Sequence, residues 1–292
     1  MNKKKLKTQI FLNVFFVIFC AIIIFPFILL VSISLSNEGD IIKYGYMVWP
    51  KHIDFSAYGY VLKNPVTLLR AYGVTTIFSV AAMVFGVLLM AMIAYPLTVR
   101  NLRGRGGMSF YLYFTMLFNG GLVPTYILIT QYLHLGDNLL VYILPGLISP
   151  WYVFMLRTFM QGIPNEMREA VKIDGGNEFV IFFKIILPLS KASLAAVALF
   201  VFLGKWNDWY TAMLYINNDK LISLQYMLQR ILQNLQLLKE MQNMGLNVAV
   251  EEVPTETVRM ALAVLVAGPA LFVFPFFQKY FVRGVTVGGV KG

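Results

Sequence analysis

The polarity of the chain varies on a long wavelength. Six runs are dominated by apolar residues: about Ile10–Ser34, Gly73–Val99, Met108–Ile129, Leu139–Met160, Ser193–Tyr215 and Val258–Phe281. An α-helix needs about 20 such residues to cross the hydrocarbon of a bilayer. The strands of a membrane barrel would instead alternate apolar and polar positions over about ten residues, and these runs do not. The pattern predicts an all-α membrane protein of six transmembrane helices in one domain spanning 1–292.

The polar segments between the runs differ in sign. Lys3, Lys4, Lys5 and Lys7 precede the first run, and Arg100, Arg103 and Arg105 follow the second. Arg157, Arg168, Lys172, Lys184 and Lys191 lie around the fourth connection, and Lys279, Arg283 and Lys291 follow the last run. With six crossings these groups share one side. The other side holds Glu38, Asp40, Asp54, Asp137, Asp219, Glu240, Glu251, Glu252 and Glu256. Basic residues are retained on the cytoplasmic side, so both termini are expected there. The N-terminal run is longer than the apolar region of a cleaved signal peptide, so it is expected to stay as an anchor.

Composition sharpens this reading. Hydrophobic residues make up 59% of the 292 residues and charged ones 13%, against about 25% charged in soluble domains. The net charge of +10 follows membrane sidedness and is not read as a nucleic-acid surface. Cys20 is the single cysteine, and His52 and His134 are far apart, so neither a disulfide framework nor a metal site is expected. "RNLRGRGG" (100–107) is read as a basic turn; no strand–loop–helix context makes it a phosphate cradle.

The connection 161–190 departs most from a plain loop. "IPNEMREAVKIDG" has proline and acidic residues early, as helix starts do. Ala170, Val171 and Ile173 give it a small apolar face, and Gly175–Gly176 ends it. A second amphipathic piece, "NEFVIFFKIILPL", is expected to stop or kink at Pro188. A short helix, a turn and another helix at the cytoplasmic face suit docking into a partner's groove. Between the fifth and sixth runs, "LQYMLQRILQNLQLLKEMQ" has near-helical apolar spacing, with a break expected at Gly245. It is either a passive cap on the bundle or a segment that engages a partner outside.

The order Glu169-Ala170-Val171, three residues, Gly175, nine residues, Ile185-Ile186-Leu187-Pro188 resembles the signature loop of permease subunits of ATP-binding-cassette importers. Val171 stands where the usual pattern has a second alanine. "TMLFNGGLVPTYILI" (115–129), "LPGLISPWYVFMLRTFMQGIP" (144–164), "KWNDWYTAMLY" (205–215) and "FQKYFVRGVTVGGVKG" (277–292) resemble the maltose-permease-like carbohydrate branch, and "GGLVPTY" its oligosaccharide and polysaccharide-fragment members. The resemblance covers nearly the whole chain and implies a type I importer permease of the bacterial cytoplasmic membrane. It is a transport subunit, with no catalytic, metal or cofactor site of its own.

The resemblance also implies partners and site residues. A second homologous permease shares the path, two ATPase subunits bind ATP and Mg, and an extracytoplasmic solute-binding protein delivers an oligosaccharide. The 164–188 loop would seat in the ATPase through Arg168, Glu169, Ala170, Asp174 and Gly175. The tail, with Gly284, Thr286, Gly288 and Gly289, would reach between the ATPases as an extended segment. Trp206, Asn207, Asp208, Trp209 and Tyr210 are candidates for the sugar path, although Trp and Tyr also populate membrane interfaces. Lys205 and Asp208, three apart, share a helix face as a self-neutralising pair or as path residues. A non-sugar importer, a secondary transporter or channel and a membrane scaffold are the rival readings. The first would lack the Trp-Asn pair and the tail, the second would show paired inverted repeats, and the third has no use for the gapped loop.

Overall fold

A computed structural model describes residues 3–244 and 255–288. The described residues are helical apart from turns and a single antiparallel bridge between Ser36 and Ile53. In chain order the helices are α1 (Lys3–Ser34), α2 (Glu38–Tyr44), α3 (Ser56–Val61), α4 (Pro65–Ala94), α5 (Arg105–Leu117), α6 (Leu122–Ile127), α7 (Leu140–Ile143), α8 (Pro150–Gln161), α9 (Glu166–Ile173), α10 (Glu178–Ile181), α11 (Leu187–Leu189), α12 (Lys191–Trp206), α13 (Tyr210–Tyr215), α14 (Leu224–Asn243) and α15 (Thr255–Gly288).

Three of them are long and apolar enough to cross a membrane among the described residues: Thr8–Ser34, Pro65–Thr98 and Thr255–Tyr280. Two bent pairs raise the number to five if each counts as one span: Arg105–Leu117 with Leu122–Tyr132, bent by 110°, and Glu178–Leu189 with Lys191–Trp206, bent by 78°. Three of the six expected continuous helices are therefore broken, each for a local reason. In the third, Gly121 takes a φ of 87° and its N–H bonds to the Asn119 side chain, which turns the chain back on itself. In the fourth, Pro145, Gly146 at φ 73° and Pro150 separate α7 from α8. In the fifth, Asn207–Trp209 separate α12 from α13. Apolar runs record burial in lipid or protein; they do not record whether the backbone inside them stays helical.

The chain divides into two compact units. One comprises Met1–Leu68 and Leu228–Pro269, the other Leu69–Met227 and Ala270–Gly292. In the first, α1 exposes nearly all its apolar side chains, as a lipid-facing helix does. Its core joins Ala57, Leu235, Val258, Ala261 and Leu262. At the start of α15, the Glu38 carboxylate accepts the N–H groups of Glu256 and Thr257, both at 2.9 Å, and the Thr257 hydroxyl at 2.8 Å. The free N–H groups of a helix's first turn favour a carboxylate there. This acid comes from a distant part of the sequence.

Among the described residues, the second unit shows two cores. One gathers Met90 of α4, and Tyr95 and Leu97 just past its end, with Val153, Leu156 and Met160 of α8 and Ile181, Phe182 and Ile186 beyond α9. The other centres on Phe78 and Tyr142, whose rings stack 4.3 Å apart, with Ala212 and Tyr215 of α13.

Candidate functional site: a docked loop and a broken span

The 161–190 connection folds as the sequence implies, and the reason is visible residue by residue. α9 has two faces. Arg168 and Val171, three apart, point inward: Arg168 is buried and Val171 packs on the core around Tyr95. Met167, Ala170 and Ile173 form the opposite stripe, and Ile173 is 86% exposed. Glu169, Asp174 and Gly175 are exposed as well.

At the helix end, Gly175 takes a φ of 79°, which an L side chain rarely adopts. Gly176 is constrained differently. Its N–H donates to the Val171 carbonyl at 2.8 Å, and a Cβ placed there would lie 2.9 Å from that oxygen and 2.5 Å from Val171 Cγ1. Asn177 then caps the next helix by accepting the Val180 N–H. Pro188 has no N–H to offer the Lys184 carbonyl, and a wide turn over Phe182–Ile186 precedes it. The chain bends two residues after Pro188 rather than at it.

A polar network fixes α9 to this frame. Arg168 donates to the Met160 carbonyl at 3.3 Å and lies over the Tyr95 ring, 5.4 Å from its centre. The Tyr95 hydroxyl donates to Glu178, which pairs with Lys172 at 2.7 Å. Lys172 and Tyr95, with the Arg168 charge behind them, hold the Glu178 carboxyl below its ordinary pKa. Arg168, expected at the ATPase contact, is buried in this chain: its guanidinium is held by the loop's own core and does not lie on the exposed face of α9. Tyr95 and Glu178 were not singled out by sequence and Lys172 only as one of the basic residues of the loop; Glu178, next to the Asn177 cap, carried a helix-start signal that could have drawn attention.

The broken fifth run forms a second polar centre. Lys205 lies in the last turn of α12, and its Nζ donates to the carbonyls of Tyr142 and Pro145, the latter at 3.2 Å. These carbonyls sit where the helix α7 ends, and a cation is the natural partner for them. Asp208 accepts the Thr211 N–H at 3.0 Å and its hydroxyl at 2.7 Å, and caps α13. The expected Lys205–Asp208 pair on one helix face is corrected: the helix stops at Trp206, so three-residue spacing no longer means a shared face. Trp206 is buried and stacks on Phe202 at 5.6 Å, so its ring face is not open to a ligand. Asn207, Trp209 and Tyr210 are exposed and Asp208 is half-buried.

The start of α14 is tied to the same break. Ser223 donates to the Asp208 carbonyl at 3.0 Å, Gln225 donates to Asn207 at 2.8 Å, and the Leu224 N–H donates to Thr75 at 2.8 Å. Nearby, Asp137 accepts the N–H groups of Asn217 and Asn218, bonds that lower its carboxyl pKa.

The expected extended tail is also corrected. α15 continues through Gly284 and Thr286 to Gly288. Once a helix is nucleated, each further residue adds a backbone bond at low cost, and the weak helix propensity of this stretch does not end it. Gly289 lies outside the described residues, as do Gly245, Glu251 and Glu252 of the connection before α15.

Residues 59–287 match the family described as "Binding-protein-dependent transport system inner membrane component". The chain belongs to this family. It is a membrane-embedded transport subunit and not an enzyme. Protein LplC of Bacillus subtilis (strain 168) is 36% identical over 273 residues, 93% of this chain and 90% of LplC. The polygalacturonan/rhamnogalacturonan transport system permease protein YtcP of the same strain is 33% identical over 279 residues, 95% of this chain and 96% of YtcP. A chain from the crystal structure of a bacterial ABC transporter involved in the import of the acidic polysaccharide alginate is 28% identical, with a TM-score of 0.79 over 96% of the permease and 99% of that chain.

Proposed function

We propose that this permease forms one half of the path of an ATP-driven carbohydrate importer in the bacterial cytoplasmic membrane, and that α9 is its coupling helix. The observation that carries the proposal is the two-faced α9. Its inner face is fixed by Arg168 and Val171, and its outer face presents Met167, Ala170 and Ile173 with Glu169 and Asp174. A rigidly mounted helix with an uncovered apolar stripe can transmit motion as a lever; a loosely tethered one would absorb it.

The partners follow from this reading: a second permease, two ATPase subunits that bind ATP and Mg, and an extracytoplasmic solute-binding protein. The chain crosses the membrane six times with both termini inside, as a single permease domain, with the broken segments 140–161 and 191–215 as its fourth and fifth crossings. Glu169, Ala170, Asp174 and Gly175 meet the ATPase, Arg168 positions them, and the end of α15 lies towards the ATPase pair. An oligosaccharide is supported by the transport of polygalacturonan/rhamnogalacturonan named for YtcP and by the arabinooligosaccharides named for the 27% identical AraQ of Bacillus subtilis.

The test is uptake of labelled oligogalacturonides and arabino-oligosaccharides by cells that carry the full transporter or lack this chain. The reading expects ATP-dependent uptake of at least one of them, lost on deletion and restored by the chain. Uptake independent of the chain for every carbohydrate tried, with uptake of a non-sugar solute lost, would overturn the carbohydrate assignment.

A further inference from the structure

The break between α12 and α13 lies inside an apolar run of spanning length, yet Asn207, Trp209 and Tyr210 are exposed there. Exposed amides with donors and acceptors left over do not face lipid, where an unsatisfied polar group is costly. The neighbouring polar groups are already committed. Lys205 is held by two carbonyls and the Asp208 carboxylate by Thr211. What remains open is neutral: the amides of Asn207 and Gln225, joined at 2.8 Å. Asn207 also donates to the Leu203 carbonyl at 2.9 Å. A primary amide carries two donor hydrogens and two acceptor lone pairs. The pair therefore retains donors on both nitrogens and acceptors on both oxygens. Next in the chain stand the rings of Trp209, 37% exposed, and Tyr210, 46% exposed, set edge to face at 5.8 Å.

We infer that Asn207 and Gln225, with the exposed rings of Trp209 and Tyr210, form a sugar subsite on a water-filled path, one that reads ring hydroxyls and not a carboxylate. The inference rests on the carbohydrate-importer reading and deepens it. Neutral amides exchange hydrogen bonds with vicinal hydroxyls in either direction, and an aromatic face covers the C–H face of a pyranose. A carboxylate on the substrate would call for an uncommitted cation, and the lysine of this break is spent on carbonyls. Gln225 belongs to the subsite because the start of α14 is held on the break by the Ser223 bond to the Asp208 carbonyl and by its own bond to Asn207.

Because Cys20 is the single cysteine, thiol chemistry can test this in the assembled transporter. In a Cys20→Ser background, Asn207→Cys, Gln225→Cys and a lipid-facing reference, Phe16→Cys, are exposed in membranes to a charged, impermeant methanethiosulfonate. The inference expects the 207 and 225 variants to react and the 16 variant not to. It also expects the transported oligosaccharide, delivered with the binding protein, to slow the reaction at 207. In uptake, Asn207→Ala and Gln225→Ala should each raise KM by about five-fold, the worth of one net hydrogen bond, whether the sugar is a uronate or neutral.

No reaction at 207 would place the notch against lipid or a partner chain and overturn the path. Reaction that sugar does not slow would overturn the subsite. The Cys20→Ser parent keeps the two readings apart. If it takes up none of the carbohydrates, the importer assignment fails and the subsite with it. If it takes one up and labelling is not slowed, the subsite alone fails.

Discussion

Replacing Gly176 by alanine tests how rigidly α9 is mounted. The added Cβ would stand 2.5 Å from Val171 Cγ1 and 2.9 Å from the Val171 carbonyl oxygen. Ordinary contacts begin near 3.5 Å. The methyl can rotate away, but the oxygen belongs to the backbone and accepts the Gly176 N–H at 2.8 Å. Relief must stretch that bond or tilt α9 against the following helix. Overpacking costs about 1–3 kcal/mol and a weakened hydrogen bond about 1 kcal/mol, so the seated geometry loses about 2–4 kcal/mol. That is at least about thirty-fold in the population of the correctly placed helix. Gly175→Ala is the control: its Cβ meets nothing within 4 Å, and only the φ of 79° penalises it, by about 1–2 kcal/mol. The assay is ATP hydrolysis stimulated by sugar-loaded binding protein in reconstituted transporter, with membrane insertion checked separately. Gly176→Ala should lose more stimulation than Gly175→Ala, and adding Val171→Ala should restore part of it by removing the nearer clash. Equal, wild-type stimulation in both single variants would refute the rigid mounting.

Other consequences follow from the same contacts. Arg168→Met keeps bulk but removes the bond to the Met160 carbonyl and the charge over Tyr95; a loss of about 2–3 kcal/mol should appear as faster hydrogen exchange across 166–173, and unchanged exchange would count against it. Glu178 has a lowered pKa, so its contribution is present above the ordinary carboxylate range and is lost only as pH falls below it. Lys172→Met should move the loss of loop protection to higher pH, as read by exchange against pH, and no movement would remove Lys172 from the network. Glu38→Ala uncaps α15 and should cost about 1–2 kcal/mol, visible as faster exchange at Glu256 and Thr257, whereas Glu38→Gln should retain part of the protection.

Sequence and structure part company at particular residues. The loop from Pro164 to Pro188 was legible because glycine, asparagine and proline set backbone geometry locally: Gly175 takes the left-handed turn and Asn177 the cap. The long helices α1, α4 and α15 were legible from apolar length alone. The breaks at Gly121, Pro145–Gly146 and Asn207–Trp209 were not, since averaging hydropathy over a window hides three polar or glycine positions among twenty apolar ones. The direction of Arg168 was invisible because an arginine's charge says surface while its stem and a ring such as Tyr95 can take it inside. The Glu38 cap on α15 and the Lys205 contacts with Tyr142 and Pro145 join residues distant in the chain. Such contacts leave no local pattern to read.

The central claim is that α9 docks on an ATPase, and Gly175→Asp tests it most directly. The position is exposed and no atom lies within 4 Å of a Cβ there, so the carboxylate meets no clash and falls at the proposed interface; Gly175→Ala bears the same strain at a φ of 79° without the charge and is the control. The measurement is the amount of ATPase subunit that copurifies with the affinity-tagged permease from membranes, together with sugar uptake in the same cells. The account predicts normal membrane insertion with ATPase recovery and uptake both lost. Full ATPase recovery with uptake at the wild-type rate would contradict it.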